Sequence, residues 1–147
     1  MDSIISIDGV ILTSLKVITH PLGDVFHGMK KDEPGYSGFG EAYFSTIKHG
    51  TIKPWKKHLR MTLNLIVPIG SIRFVVFDDR GDSNTNGNFF DVTLSPENYY
   101  RLTVPPSVWM GFQGIGKDTN LLLNVANIKH DPEEIIRTEI NSIFFKW

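Results

Sequence analysis

The sequence predicts an all-β protein of antiparallel sheets, and three observations carry that reading. Short runs rich in β-branched and aromatic residues recur with a period of two. Gly, Pro and Asn clusters separate them, supplying the positive-φ and fixed-φ residues of tight turns. A single stretch, near the end, carries the marks of a helix.

In chain order, "GVILTSLKVI" (9–18) and "EAYFSTI" (41–47) are the first two predicted strands. "LRMTLNLIV" (59–67) and "IRFVVFDD" (72–79) follow, separated by the turn "VPIGS". "FFDVTL" (89–94), "YYRLTV" (99–104) and "NLLLNVAN" (120–127) complete the set, with "SPEN", "VPPS" and "GIGKDTN" among the turns. "DPEEIIRTEI" (131–140) reads as a short helix, with Asp131 as N-cap, Pro132 at the first position and Glu133 and Glu134 in the first turn. Seven strands at this spacing make a sandwich, a jelly roll or a small barrel; periodicity leaves the choice open. We expect a single domain over residues 1–147, a length sufficient to bury a core.

Composition narrows the function classes. With a net charge of −1, no global charge points to nucleic acid or an anionic membrane, so any basic site must be local. The absence of cysteine excludes disulfides, thiolate metal sites and a cysteine nucleophile. "MDSIISIDGVILTSL" has neither a charged n-region nor a long apolar core, and no run has membrane-spanning length, so a cytoplasmic protein is expected.

One stretch stands out. In "WKKHLRMTLNL" (55–65), Lys56, His58, Arg60, Thr62 and Asn64 alternate with Trp55, Leu59, Met61, Leu63 and Leu65, with Lys57 alone breaking the apolar set. Such a polar face is either the wet side of a sandwich strand or the polar lumen of a ligand-binding barrel or jelly roll. Facing a lumen, Lys56, His58 and Arg60 would converge within about 7 Å and suit a phosphate-like anion or proton transfer. "EAYFSTI" adds Glu41, Tyr43 and Ser45 on one face, and "NLLLNVAN" adds Asn120 and Asn124. His20, His27 and His49 fall in loop-like segments and read as surface residues.

The order "GTIKPWKKH" (50–58), "IGSIRFVVFDDR" (69–80) and "FDVTLSPENYYRLTVPPSVWMGFQG" (90–114) resembles the cupin family of dTDP-4-dehydrorhamnose 3,5-epimerases. "VPPSVW" and "ANIKHDPEEIIRTEINSIFF" are also similar to dTDP-sugar ketoisomerases. The resemblance covers residues 40–147 and is most specific in "LSPENYYRLTVPPSVW". It implies a double-stranded β-helix (a jelly roll), a homodimer, a nucleotide-linked 4-keto-deoxysugar as substrate, no cofactor, and a place in cell-surface polysaccharide biosynthesis. By this resemblance Lys53 stands where an arginine grips the diphosphate, and Glu41 near a glutamine that contacts the nucleotide. Lys56 stands for the histidine that removes the proton beside the ketone, and His58 for the second histidine of the ketoisomerase pair. Met110 replaces a further histidine, while Lys129 and His130 replace a Tyr-Tyr pair that includes the acid.

The expected activity is therefore epimerase or ketoisomerase chemistry with Lys56 or His58 as base. A neutral lysine needs a pKa about three units below its free value, whereas histidine needs none. Tyr43, Lys129 or His130 would supply a proton or hold the enolate oxygen. Arg60 and Asn64 complete the expected binding set, with Trp109 and Gln113 at the pocket mouth. The alternative is a non-catalytic nucleotide-sugar-binding cupin. Metal-dependent cupin chemistry needs two or three histidines with a carboxylate at fixed spacing; Lys56 and Met110 interrupt that pattern, and no metal is expected. "FFKW" (144–147) is too apolar for a free tail and is expected to pack on the body or across a subunit interface.

Overall fold

The computed structural model describes residues 6–147. Among these residues are twelve strands: β1 (Ile11–Ser14), β2 (Val17–Ile18), β3 (Val25–Phe26), β4 (Glu41–Thr46), β5 (Ile52–His58) and β6 (Leu63–Ile69) in the first half. β7 (Ile72–Phe77), β8 (Phe89–Leu94), β9 (Tyr100–Val104), β10 (Trp109–Gly114), β11 (Leu121–Ala126) and β12 (Ile135–Arg137) follow. They form two five-stranded antiparallel sheets, ordered β1-β9-β6-β11-β4 and β12-β5-β10-β7-β8, with β2 and β3 as a separate hairpin. Neighbours in a sheet are mostly distant in sequence, and the fold is a jelly roll.

The core lies between the sheets. Leu63, Leu65 and Val67 of β6 and Leu102 and Val104 of β9 meet Ile72, Phe74 and Val76 of β7, all less than 5 % exposed. The alternation of these residues reflects the pleat, which sends every second side chain inward.

Two sequence expectations are corrected. Residues 55–65 are not one strand: β5 ends at His58, the chain turns a corner, and β6 begins at Leu63 in the opposite sheet. The corner is held by the carboxylate of Glu134, whose Oε1 accepts the backbone N–H groups of Arg60 and Met61 at 2.9 Å each. The 131–140 helix is also absent. Asp131 does cap a first turn, accepting the Glu133 N–H at 3.1 Å with Pro132 behind it, but that turn is 3-10 and ends at Glu134. Ile135 and Ile136, both β-branched, then extend as β12 along the free edge of β5. Pairing with an open strand edge outweighs a short helix that has almost no apolar face of its own.

In the C-terminal segment Phe145 and Trp147 pack on the body, whereas Phe144 is 94 % exposed. The Trp147 ring lies 5.5 Å from that of Trp55, and Phe145 is 5.4 Å from Phe89. Gly111 makes room for it: a Cβ there would meet the Trp147 ring at 3.2 Å.

Candidate active site

A cavity of about 370 Å³ opens between the two sheets. One wall carries Lys53, Lys56 and His58 of β5, Met110 and Phe112 of β10, and Arg137 of β12. The facing wall carries Tyr43 and Ser45 of β4, Leu63 and Leu65 of β6, and Leu122 and Asn124 of β11. The alternation that separates Lys56 and His58 from Lys57 thus corresponds to a real inward face.

Lys53 reaches that face through an irregularity. Met110 pairs with Lys56 and Phe112 with Lys53, so one residue of β10, Gly111, opposes two of β5. The extra residue is a β-bulge at Pro54–Trp55, where proline's missing N–H costs the ladder least. Without it Lys53, an odd number of residues from Lys56, would point outward. Behind the bulge, Trp55 is 1 % exposed, and its indole N–H donates to the Ile140 carbonyl at 3.3 Å.

His58 is the most strongly constrained polar group on this wall. Its Nδ1 lies 2.5 Å from Glu134 Oε2 in a site where both side chains are almost fully buried. Burial pushes the Glu134 carboxyl up, but the Arg60 N–H, the His58 ring and the Met61 N–H outweigh that and hold it below its ordinary value. It is therefore a carboxylate, which only accepts, so Nδ1 must carry the proton and Nε2 the lone pair. Burial lowers the imidazole pKa from 6.5; Glu134 opposes the shift, and Lys56 and Arg137 reinforce it. His58 is thus a neutral base at neutral pH. Glu134 escapes sequence reasoning because it lies 76 residues away and reads as an ordinary first-turn acid.

Three cations, Lys53, Lys56 and Arg137, line the same cavity as His58. Lys56 is held below its ordinary pKa by burial, then by Arg137 and Lys53. Arg137, also unforeseen, sits opposite Lys56 in the β12–β5 register. Among the described residues no carboxylate forms an ion pair with Lys53, Lys56 or Arg137. Lys53 Nζ instead donates to the Thr46 carbonyl at 3.0 Å and lies 5.6 Å from the Phe112 ring. Uncompensated positive charge beside a cavity favours an anionic ligand.

The other expected site residues lie elsewhere. Arg60 is in the corner, bonded to Asp131 at 2.7 Å in a largely exposed pair. Asn64 points out of the opposite face of β6, where its Nδ2 donates to the Gly35 carbonyl and its Oδ1 accepts from Thr103. Once the chain crosses between sheets at the corner, Leu63 and Leu65 face the cavity, so Asn64 cannot. Trp109 and Gln113 flank the inward Met110 and Phe112 and point the other way by the same alternation; Trp109 donates to Asp79 at 2.8 Å. Lys129 and His130 are in the segment after β11 and do not line the cavity, and Glu41 accepts the His130 N–H at 3.0 Å.

The family model described as dTDP-4-dehydrorhamnose 3,5-epimerase matches residues 6–147. The chain belongs to this family. Its fold superposes on that of a dTDP sugar isomerase from Desulfovibrio desulfuricans G20 with a TM-score of 0.91, at 37 % identity over 96 % of this chain and 90 % of that one. It is 26 % identical to the spore coat polysaccharide biosynthesis protein SpsL of Bacillus subtilis over 96 % of both chains. It is 30 % identical over 94 residues to the probable low-salt glycan biosynthesis epimerase Agl13 of Haloferax volcanii, an alignment spanning 63 % of this chain and 60 % of that relative. Within this epimerase family the present chain sets a histidine–glutamate pair at the lumen, with lysine two residues before the histidine.

Proposed function

We propose that the chain is an epimerase or ketoisomerase acting on a nucleotide-linked 4-keto-6-deoxyhexose for polysaccharide biosynthesis, with His58 as the base. The observation that carries the reading is the His58–Glu134 pair, whose tautomer aims the free Nε2 lone pair into the cavity. Nε2 removes the proton from carbon beside the ketone, and the electron pair moves to the carbonyl oxygen as an enolate. The Lys56 ammonium, next inward residue on the same strand, stabilises that oxygen. Lys53 and Arg137 balance the diphosphate, and Tyr43 on the facing wall returns a proton to carbon. A merely binding role would not require a buried carboxylate that fixes the tautomer of an inward histidine. A homodimer and a cytoplasmic setting belong to the same proposal.

The test is incubation of purified protein with dTDP-4-keto-6-deoxyglucose in D₂O, followed by NMR. Deuterium should enter beside the ketone, and His58→Asn should slow its entry by about 10³-fold. An unchanged rate in that variant would remove His58 as the base. Light scattering of the purified protein tests the dimer.

A further inference from the structure

Two hydrogen bonds on the wall facing His58 determine what the Tyr43 hydroxyl can do. Asn124 is fully buried and stands directly across from Tyr43 in the β11–β4 register. Its Oδ1 accepts the backbone N–H of Asn64 at 3.0 Å, and its Nδ2 lies 3.0 Å from Tyr43 Oη. The first bond fixes the second. A backbone N–H only donates, so the amide atom facing it must be the oxygen, and the atom facing Tyr43 must be the NH₂. An NH₂ in turn only donates, so the phenol oxygen accepts and its own proton is left free. Asn64 is itself anchored, through Thr103 at 2.7 Å and the Gly35 carbonyl at 3.1 Å, so the arrangement is rigid back to the outer layer.

We propose that Asn124 is a positioning residue that turns the Tyr43 O–H into the cavity, as proton donor to the sugar face opposite His58. The inference rests on the epimerase reading above. Elimination supports it: the cavity residues of that sheet are Leu63, Leu65, Leu122, Asn124, Ser45 and Tyr43. Only the last two carry a hydroxyl, and a phenol is a far stronger acid than an aliphatic alcohol. The step balances. His58 Nε2 takes the proton from one face of the carbon, and Tyr43 Oη delivers its own to the other. The phenolate left behind accepts the Asn124 N–H and recovers a proton from solvent, since Tyr43 is 39 % exposed, and the His58 imidazolium releases to solvent the proton it took.

The decisive variant is Asn124→Asp. It keeps the acceptor for the Asn64 N–H but puts a carboxylate oxygen against Tyr43, so the phenol proton turns toward that oxygen. With dTDP-4-keto-6-deoxyglucose in D₂O, two quantities are read by NMR: deuterium entry with retained configuration, which needs only His58, and epimerised product, which also needs Tyr43. Asn124→Asp and Tyr43→Phe should each reduce product by about 10²-fold or more while exchange stays within a few-fold of the starting protein. Should the aspartate variant fail to fold, Asn124→Ala supplies the readout. It should lower product in the native background and have no further effect in Tyr43→Phe, because a positioning residue acts only through the group it positions. Unchanged product in a folded Asn124→Asp, product and exchange lost together, or an additive Asn124→Ala effect overturns the proposal. A starting protein that gives neither exchange nor product overturns the epimerase reading, and the assignment of Asn124 with it.

Discussion

His58 and Lys56 are two residues apart on one strand, yet the site pushes their roles apart. Burial and, to a smaller extent, Lys56 depress the His58 pKa, so the imidazole is held neutral below its ordinary value. The acid limb of kcat/KM should therefore lie below pH 6.5, as a pH–rate profile will show. Lys56→Met removes a cation that disfavours imidazolium, so that limb should move upward while kcat falls by about 10²-fold. Glu134→Gln has the opposite sign. Losing the carboxylate removes the group that raises the His58 pKa, so the limb moves further down. Rate also falls, by about 10²-fold or more, because a glutamine NH₂ against Nδ1 selects the tautomer whose Nε2 is already protonated. Stability follows the same signs. Unfolded His58 binds a proton near its ordinary pKa while the folded residue resists it, so stability falls as pH drops through that interval. Thermal unfolding between pH 7 and 5 should show the decline.

At the scale of elements, the β5 bulge decides which cations line the cavity. Lys53→Met removes the cation that the bulge turns inward. The expected result is a KM for the nucleotide sugar raised at least about tenfold, with a much smaller change in kcat, measured by steady-state kinetics. The bulge also marks the limit of what alternation could tell. The inward direction of Lys56 and His58 is legible because both lie on one regular stretch of strand. Arg60 and Asn64 were expected beside them, but nothing in "LRMT" announces that the chain changes sheet; the tie that turns it comes from Glu134. Trp109 and Gln113 missed by one residue, which on a strand means the opposite face. In the 131–140 segment the cap and proline were legible, and the turn they begin is real. Its continuation was decided by a partner strand that no local signal reveals.

On the scale of the whole molecule, the jelly roll brings together residues that the sequence keeps far apart: His58 with Glu134, Tyr43 with Asn124, Lys56 with Arg137. The strand content and the family were legible because periodicity and motif order survive in one dimension. Glu134, Asn124 and Arg137 were not recognised as a set, since each owes its position to a register between distant strands. The C-terminal segment shows how far this closure extends. Trp147 packs on Trp55 behind the very bulge that presents Lys53. Trp147→Ala should lower the free energy of unfolding by about 2 kcal/mol in urea titration, with a modest rise in KM as the bulge loosens.

Glu134 does two jobs with its two oxygens: one aims the imidazole, and the other fastens the backbone where the chain passes from one sheet to its neighbour. Chemistry and architecture are therefore wired to the same carboxylate. A ligand that engages Nε2 tugs on that wire, and the strain reaches the amides of Arg60 and Met61, which never meet the sugar. Those two amides should exchange with deuterated solvent more slowly once the cavity is filled, giving a report of occupancy from the seam of the protein.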